Sequence, residues 1–261
     1  MIARRVIRKA LRVFRRTRAA EPPPVWSGVY ARFEDIPPAR AIFNNAEALR
    51  AAVHALRETE REPMPSEAAI DHQVLALLVR FAAAPVVRVD DFGGGVGQSY
   101  AALRRLIPRE IRLRHRVVEL PEVVARGREI WTDRHDELEF ATELSTAQEP
   151  PTDIVFAKGA LQYFADYASM LGTLCSRGAK WVLLEKLSLV DAPTYATVQH
   201  AYGGEAPYWM FNVRDIERVA EAAGYRVVLR RRMERTYDQS QFAPHLRMER
   251  ASSLLFERSG S

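Results

Sequence analysis

Short apolar runs alternate with amphipathic segments between residues 86 and 257. The runs are rich in β-branched and aromatic residues, as strands are, whereas the segments between them repeat their apolar positions every three or four residues, as helices do. The predicted strands are Val86–Phe92, Leu113–Glu119, Leu138–Thr142, Asp153–Ala157, Trp181–Glu185, Tyr225–Arg231 and Ser252–Glu257. The predicted helices are Gln98–Leu106, Glu122–Thr132, Tyr167–Cys175 and Val213–Ala223. This alternation predicts an α/β fold with a doubly wound, mostly parallel, seven-stranded sheet.

The residues before this region follow different patterns and divide the chain into three predicted parts. Residues 1–20 form a basic amphipathic helix, which three consecutive prolines at 22–24 end. Residues 21–84 form a linker and a helical cap, with an aromatic loop at Trp26–Pro38 and helices at Asn44–Glu60 and Glu67–Ala83. Residues 85–261 form the main domain.

The positive charge of the chain is concentrated in its first segment. Residues 1–18 hold eight basic residues and no acid, so the rest of a chain of formal charge +5 carries −3. Ala3, Ile7, Leu11 and Phe14 share one face of the predicted helix, a pattern typical of a helix lying on anionic lipid. A solvated arm and a nucleic-acid arm are the alternatives, and the acidic body makes nucleic acid the less favoured partner.

The cysteine content and hydropathy indicate a compartment. Cys175 is the single cysteine, which excludes an internal disulfide framework and indicates a reducing environment. The sequence has no run of about 18 apolar residues that would form a transmembrane helix. We therefore predict a cytoplasmic protein, with residues 1–18 as its means of peripheral attachment to the inner membrane.

Four glycines in residues 93–97 separate the first predicted strand from the helix that follows it. A buried strand, a glycine turn and a helix form the usual nucleotide site of α/β folds. A P-loop requires Lys and Ser or Thr after its last glycine, and Gln98 and Ser99 stand there instead. The dinucleotide spacing of glycines at i, i+2 and i+5 is not met from any starting position either.

The segment Asp91-Phe92-Gly93-Gly94-Gly95-Val96-Gly97 resembles the first motif of class I S-adenosylmethionine-dependent methyltransferases. The resemblance implies a Rossmann-like methyltransferase fold and S-adenosylmethionine as cofactor. It implies that the turn cradles the methionine part of the cofactor and that Asp91 helps to hold its amino group. Glu119 lies about 20 residues past the turn, where a βαβ unit places the acid that binds ribose hydroxyls.

The resemblance extends to further positions at the ends of the predicted strands. The resemblance implies that Glu143, after the third strand, faces the adenine, and a surface turn is the alternative for this residue. It also implies that the fourth strand and its loop border the cofactor and the substrate entrance. The implied cofactor-binding residues are Asp91, Phe92, Gly93, Gly94, Gly95, Gly97, Glu119, Leu120, Glu143, Lys158 and Gly159.

Several segments resemble, more narrowly, an uncharacterised bacterial branch of these enzymes that is often associated with surface-polysaccharide genes. They are Asp91–Gly95, Val118–Pro121, Gly159–Tyr163, Thr197–Gln199 and Pro207–Asn212. This branch suggests O-methylation of a glycan or of a lipid-linked polysaccharide intermediate. A methyltransferase acting on nitrogen or on a small metabolite is an alternative, and so is a silent, membrane-tethered, methyltransferase-like binding protein.

Residues 188–212 between the fifth and sixth predicted strands are long, aromatic and polar, and we predict a functional loop there. His200 is the preferred catalytic base because its ordinary pKa lies near neutrality, and Glu185 is the alternative catalytic residue. The predicted substrate-binding residues are Gln162, Tyr163, Gln199, Tyr208 and Trp209. The histidines show no metal-ligand spacing, so we predict no metal site.

Overall fold

The computed structural model describes residues 24–37, 42, 45–61, 66–134, 136–144, 151–232, 237–248 and 250–260. Residues 66–71 are described in backbone only. The predicted basic helix of residues 1–20 lies outside these ranges. None of the described helices combines the length and the apolar character that crossing a membrane requires.

The described residues form eleven strands and six α-helices. The strands are β1 (Trp26–Tyr30), β2 (Val87–Phe92), β3 (Leu113–Val118), β4 (Leu138–Ala141), β5 (Ile154–Lys158), β6 (Trp181–Leu187), β7 (Leu189–Val190), β8 (Tyr195–Ala201), β9 (Gly204–Asn212), β10 (Tyr225–Arg232) and β11 (Ser252–Arg258). The helices are α1 (Ala46–Glu60), α2 (Ser66–Phe81), α3 (Gln98–Leu106), α4 (Pro121–Ile130), α5 (Tyr167–Ser176) and α6 (Val213–Ala222).

The larger sheet has seven strands in the order β10-β11-β6-β5-β2-β3-β4. Its four parallel pairs join β2 to β3, β2 to β5, β3 to β4 and β5 to β6, and β11 runs antiparallel to both of its neighbours. The strand order reverses at β2, which pairs with β3 on one side and with β5 on the other. The predicted doubly wound fold is confirmed, and open sheets of this kind bind ligands beside such a reversal.

Each face of this sheet has its own apolar core. Leu75 and Val79 of α2 pack with Tyr100 and Leu103 of α3 on one face, together with Leu183 of β6. On the other face, buried residues of α5 and α6 pack against alternate positions of β5, β6 and β11. That second set includes Val155, Leu171, Leu174, Val182, Leu184, Ile216, Ala220 and Phe256. The alternation of strand residues between the two cores is the physical basis of the apolar runs in the sequence.

A second, smaller sheet has the order β1-β8-β9-β7. The sequence predicted loops at 26–38 and 188–212. That prediction was wrong, because each segment contains strands of this sheet. β8 and β9 form an antiparallel hairpin, and Trp26 of β1 pairs with Gln199 of β8. The buried Thr197 hydroxyl donates to the backbone oxygens of Ser27 and Gly28, at 3.0 and 2.8 Å. The sequence pattern did not predict these strands, because β1 pairs with β8, which lies far away along the chain.

Candidate cofactor and active site

The glycine turn connects the carboxyl end of β2 to the amino end of α3. Gly93, Gly95 and Gly97 have φ values of 73°, 61° and 96°, in the left-handed region that glycine adopts without strain. A Cβ at Gly93 would lie 2.7 Å from the Cβ of Ala160. The turn therefore requires glycine both for its backbone conformation and for its approach to the loop after β5.

Asp91 lies beneath this turn with only 1% of its surface exposed. Its Oδ2 accepts a hydrogen bond from the Ser99 hydroxyl of α3 and lies 3.1 Å from Nε2 of His115 in β3. A Cβ at Gly94 would collide with the same carboxylate. Asp91 thus supports the turn from below, while its contact with a cofactor amino group stays a prediction. Sequence reading missed Ser99 and His115 because only the fold brings them to Asp91.

Glu119 follows β3 and is bonded directly to the glycine turn. Its carboxylate accepts the backbone N–H of Gly95 at 3.2 Å and that of Leu120 at 2.8 Å. Burial raises the pKa of the Glu119 carboxyl above its ordinary value, and these two backbone donors oppose that shift. The predicted register between the turn and Glu119 is therefore present as a direct hydrogen bond.

A cavity of about 350 Å³ opens beside Glu119. Gly95, Glu119 and Leu120 form one wall, and Leu49 of α1 lies in another. Tyr202, in the turn between β8 and β9, lines the cavity while remaining 46% exposed, and its φ is 49°. The sequence predicted α1 as a helix but gave no sign that it lines this cavity, because that depends on packing between distant segments.

The remaining residues of the predicted cofactor set have different environments. The Phe92 ring packs 5.4 Å from the ring of Phe164. Glu143 is exposed after β4 and is not among the residues that line the cavity. Lys158 ends β5 beside Glu185 of β6, and the Gly159 N–H donates to the Glu185 backbone oxygen at 2.9 Å. Their contacts with a cofactor stay predictions.

Four of the five predicted substrate-binding residues meet in one polar cluster, which consists of Gln162, Tyr163, Gln199 and Tyr208. The Gln162 amide donates to the Tyr208 hydroxyl at 3.3 Å, and the Tyr163 hydroxyl donates to Gln199 Oε1 at 2.5 Å. The rings of Tyr163 and Tyr208 pack edge to face at 5.1 Å. Burial raises the pKa of both tyrosine hydroxyls, so both remain protonated near neutral pH.

Trp209 lies apart from this cluster because neighbouring strand residues point to opposite faces of a sheet. Its indole N–H donates to the Phe164 backbone oxygen at 3.0 Å, and its ring packs 5.3 Å from that of Phe33. Trp209 is 8% exposed and belongs to the core beside α5 and α6. In this structure it contributes packing and carries no polar group into the cluster.

The two predicted catalytic residues, His200 and Glu185, lie on strands of different sheets. His200 Nε2 lies 2.6 Å from the Ser27 hydroxyl, and its Nδ1 lies 3.1 Å from Glu205 Oε1 across the hairpin. Glu185 is fully buried on β6, and its Oε1 lies 3.5 Å from the Arg231 guanidinium of β10. The structure therefore gives Glu185 an ion pair and His200 a set of hydrogen-bonding partners, and the catalytic role of each stays a prediction.

Comparisons with known proteins identify the fold. No protein-family model matches the chain, and no curated protein matches it. Among solved structures, a SAM-bound amino pentose methyltransferase, CalS10 from Micromonospora echinaspora, has a TM-score of 0.53 at 14% identity, covering 81% of this chain and 97% of its own. An S-adenosylmethionine-dependent methyltransferase from Clostridium acetobutylicum has a TM-score of 0.54 at 10% identity, covering 81% and 99%. The chain has the class I methyltransferase fold.

A third neighbour aligns over more of this chain. The Burkholderia thailandensis 1,6-didemethyltoxoflavin-N1-methyltransferase, solved with bound 1,6-didemethyltoxoflavin and S-adenosylhomocysteine, has a TM-score of 0.52 at 17% identity. The alignment covers 90% of this chain and 94% of that one. Within the methyltransferase fold of this chain, the glycine turn and Glu119 follow the carboxyl ends of β2 and β3. The cavity beside them therefore lies at the sheet edge where open α/β folds bind ligands.

Proposed function

We propose that this chain is an S-adenosylmethionine-dependent methyltransferase. The observation that carries the proposal is the hydrogen bond from the Gly95 N–H to Glu119 beside the 350 Å³ cavity. This arrangement places a carboxylate next to bare backbone, as a ligand with vicinal hydroxyls and a charged amino acid moiety requires. The glycines at positive φ leave the turn without side chains, so the backbone can approach such a ligand closely.

The residues of the cavity suit the parts of this cofactor. When bound, S-adenosylmethionine supplies a methyl group on a positively charged sulfur. Glu119 would accept both ribose hydroxyls, and the N-terminal turn of α3 and the glycine backbone would hold the methionine moiety. Tyr202 and Leu49, which both line the cavity, would exclude water from the bound cofactor. Calorimetric titration of the full chain with S-adenosylmethionine and S-adenosylhomocysteine tests this proposal, and the absence of binding to both would overturn it.

We infer that the acceptor is a hydroxyl-bearing molecule, a glycan or a lipid-linked polysaccharide intermediate. Support comes from the polar cluster, where buried tyrosine hydroxyls and amides form hydrogen bonds of the kind that sugar hydroxyls accept and donate. Support for a sugar acceptor, whichever atom is methylated, comes from CalS10, an amino pentose methyltransferase. A nitrogen acceptor is the second candidate, supported by the fold likeness to the toxoflavin N1-methyltransferase.

Replacing His200 by alanine distinguishes the two acceptor classes. A hydroxyl oxygen must lose its proton during transfer, and His200 is the base that we propose for this step. We expect kcat to fall about 100-fold or more for an oxygen acceptor, with little change in cofactor affinity. Transfer of a labelled methyl group to glycan acceptors measures this, and Ser27→Ala serves as the matched control because it removes a partner of the His200 ring while leaving the imidazole.

An unchanged kcat for His200→Ala would refute the proposed base. It would favour an amine acceptor, because an amine can lose its proton to water.

We propose that residues 1–18 attach the protein to an anionic membrane surface. The support is their content of eight basic residues beside an apolar face. Deleting residues 1–18 should abolish co-sedimentation with vesicles that contain phosphatidylglycerol, while the full chain co-sediments and is released by high salt. A shortened chain that still sediments with these vesicles would contradict the proposal.

A further inference from the structure

Among the residues that the structure describes, no helix packs on one face of β2, β3 and β4. In this chain α5 and α6 pack on β5, β6 and β11, and the connection from β4 to β5 contains no helix among its described residues, 142–144 and 151–153. Parallel sheets ordinarily have both faces covered. Here the open face borders a cleft of about 720 Å³, into which β2 and β3 contribute Arg88, Asp90, Arg114 and Arg116.

Two arginines lie side by side in this cleft. Arg88 of β2 and Arg114 of β3 are register partners in a parallel pair, so their backbones are about 4.8 Å apart and their side chains leave the same face. Neither arginine forms an ion pair with any other residue in the described part of the chain. Like charges in this position repel each other and destabilise the sheet.

The acidic residues of the cleft are already neutralised by other arginines. Asp90 Oδ2 accepts a hydrogen bond from Arg177 at 2.8 Å, and Glu139 lies 3.3 Å from Arg116. Glu137, a third acid at the cleft, pairs with Arg104 at 2.9 Å. Asp153, which does not line the cleft, accepts the backbone N–H of Arg88 at 2.7 Å, and Arg88 Nη1 lies 3.5 Å from the Val86 backbone oxygen. Neither Arg88 nor Arg114 therefore forms an ion pair with an acid that lines the cleft.

This cleft is distinct from the proposed cofactor site. Arg88 and Arg114 are each the second residue of their strand, whereas the glycine turn and Glu119 follow the carboxyl ends of the same two strands. A ligand in the cleft would contact the opposite end of β2 and β3 from a ligand on the glycine turn. Arg88 and Arg114 have no part in the proposed methyl transfer.

We propose that the cleft binds the diphosphate group of a small, soluble phosphorylated ligand, with Arg88 and Arg114 as its principal contacts. Guanidinium groups bind phosphate oxygens in bidentate fashion, and a diphosphate offers enough oxygens for two neighbouring arginines. An anion between them converts a repulsive pair into an attractive one. The cleft volume lies in the range of small-ligand sites, which favours a metabolite over an acidic protein surface.

The test is thermal unfolding of the full chain in inorganic pyrophosphate and in sodium chloride of matched ionic strength. Pyrophosphate at about a hundred times its Kd should raise the Tm of the natural chain by about 5 °C beyond the salt control. Arg88→Gln/Arg114→Gln should lose this shift, and its Tm without anion should be equal to or above that of the natural chain. Arg218→Gln/Arg226→Gln removes two exposed arginines that already pair with acids, and it should keep the full shift.

All of these variants keep the basic residues 1–18, so any unspecific binding of pyrophosphate to that segment is common to them. If circular dichroism shows that the double variant does not fold, the single variant Arg114→Gln replaces it, because Arg114 is exposed. Calorimetric titration with pyrophosphate is then the measurement, and we expect the affinity to fall at least tenfold. A shift of equal size in the cleft variant would overturn the proposal. A shift with polyglutamate and none with pyrophosphate would overturn it too, and would indicate an acidic protein partner.

Discussion

Replacing Glu119 with alanine should weaken the binding of S-adenosylhomocysteine about 100-fold or more. The carboxylate is proposed to accept two ribose hydroxyls, and hydrogen bonds to a charged group contribute about 1.5–3 kcal/mol each. Its loss also frees the Gly95 N–H, which Glu119 holds at 3.2 Å. The combined loss of about 3 kcal/mol or more corresponds to the stated change in Kd, which calorimetry measures.

Two further variants show whether this effect belongs to the carboxylate. Glu119→Gln keeps one acceptor oxygen for Gly95 but loses the charge, so it should bind with an affinity between those of the natural chain and the alanine variant. Glu129→Ala removes an exposed acid of α4 that pairs with Arg126, and it should leave the affinity unchanged. Natural affinity in Glu119→Ala would refute the ribose-binding role, whereas absence of binding by the natural chain would refute the cofactor itself.

Replacing Gly93 with alanine should lower the free energy of unfolding by about 3 kcal/mol. The φ of 73° is unfavourable for alanine, and the new methyl group would lie 2.7 Å from the Cβ of Ala160. The glycine turn and the loop after β5 would be forced apart, so S-adenosylhomocysteine affinity should fall as well. Urea unfolding followed by circular dichroism measures the first effect and calorimetry measures the second.

A compensating substitution separates the two causes. Gly93→Ala/Ala160→Gly removes the collision and leaves the unfavourable φ, so it should recover about half of the lost stability. Equal stability of the single and double variants would show that the contact with Ala160 is unimportant. Full natural stability of Gly93→Ala would contradict the backbone geometry of the turn.

Local patterns in the sequence were sufficient to predict the glycine turn and the position of Glu119 beside it. A strand followed by clustered glycines restricts the backbone within a few residues, and the spacing to Glu119 is set by one βαβ unit. The hydrogen bond between Gly95 and Glu119 is the direct result. Strands β5 and β6 of the larger sheet were predictable for a similar reason, since burial on both faces requires continuous apolar runs.

The structure of the proposed acceptor site could not be predicted in the same way. The segment 188–212 mixes Tyr, Thr, Gln and His without clear alternation, and its strands form because β8 pairs with β1. Such pairing depends on contacts between residues distant in sequence, which local propensity does not specify. The sequence did not predict the support of Asp91 by Ser99 and His115 either, because three elements must pack before these side chains meet.

The pairing of β1 with β8 also has a consequence for the order of folding. Trp26 is made early during synthesis, but its partner Gln199 follows 173 residues later, so β1 remains unpaired until most of the chain has left the ribosome. The glycine turn and Glu119 are complete about 80 residues earlier and lie within a single βαβ unit. Contacts of such long sequence separation form slowly. The proposed cofactor site is therefore ready to assemble first, and the proposed acceptor site is completed last.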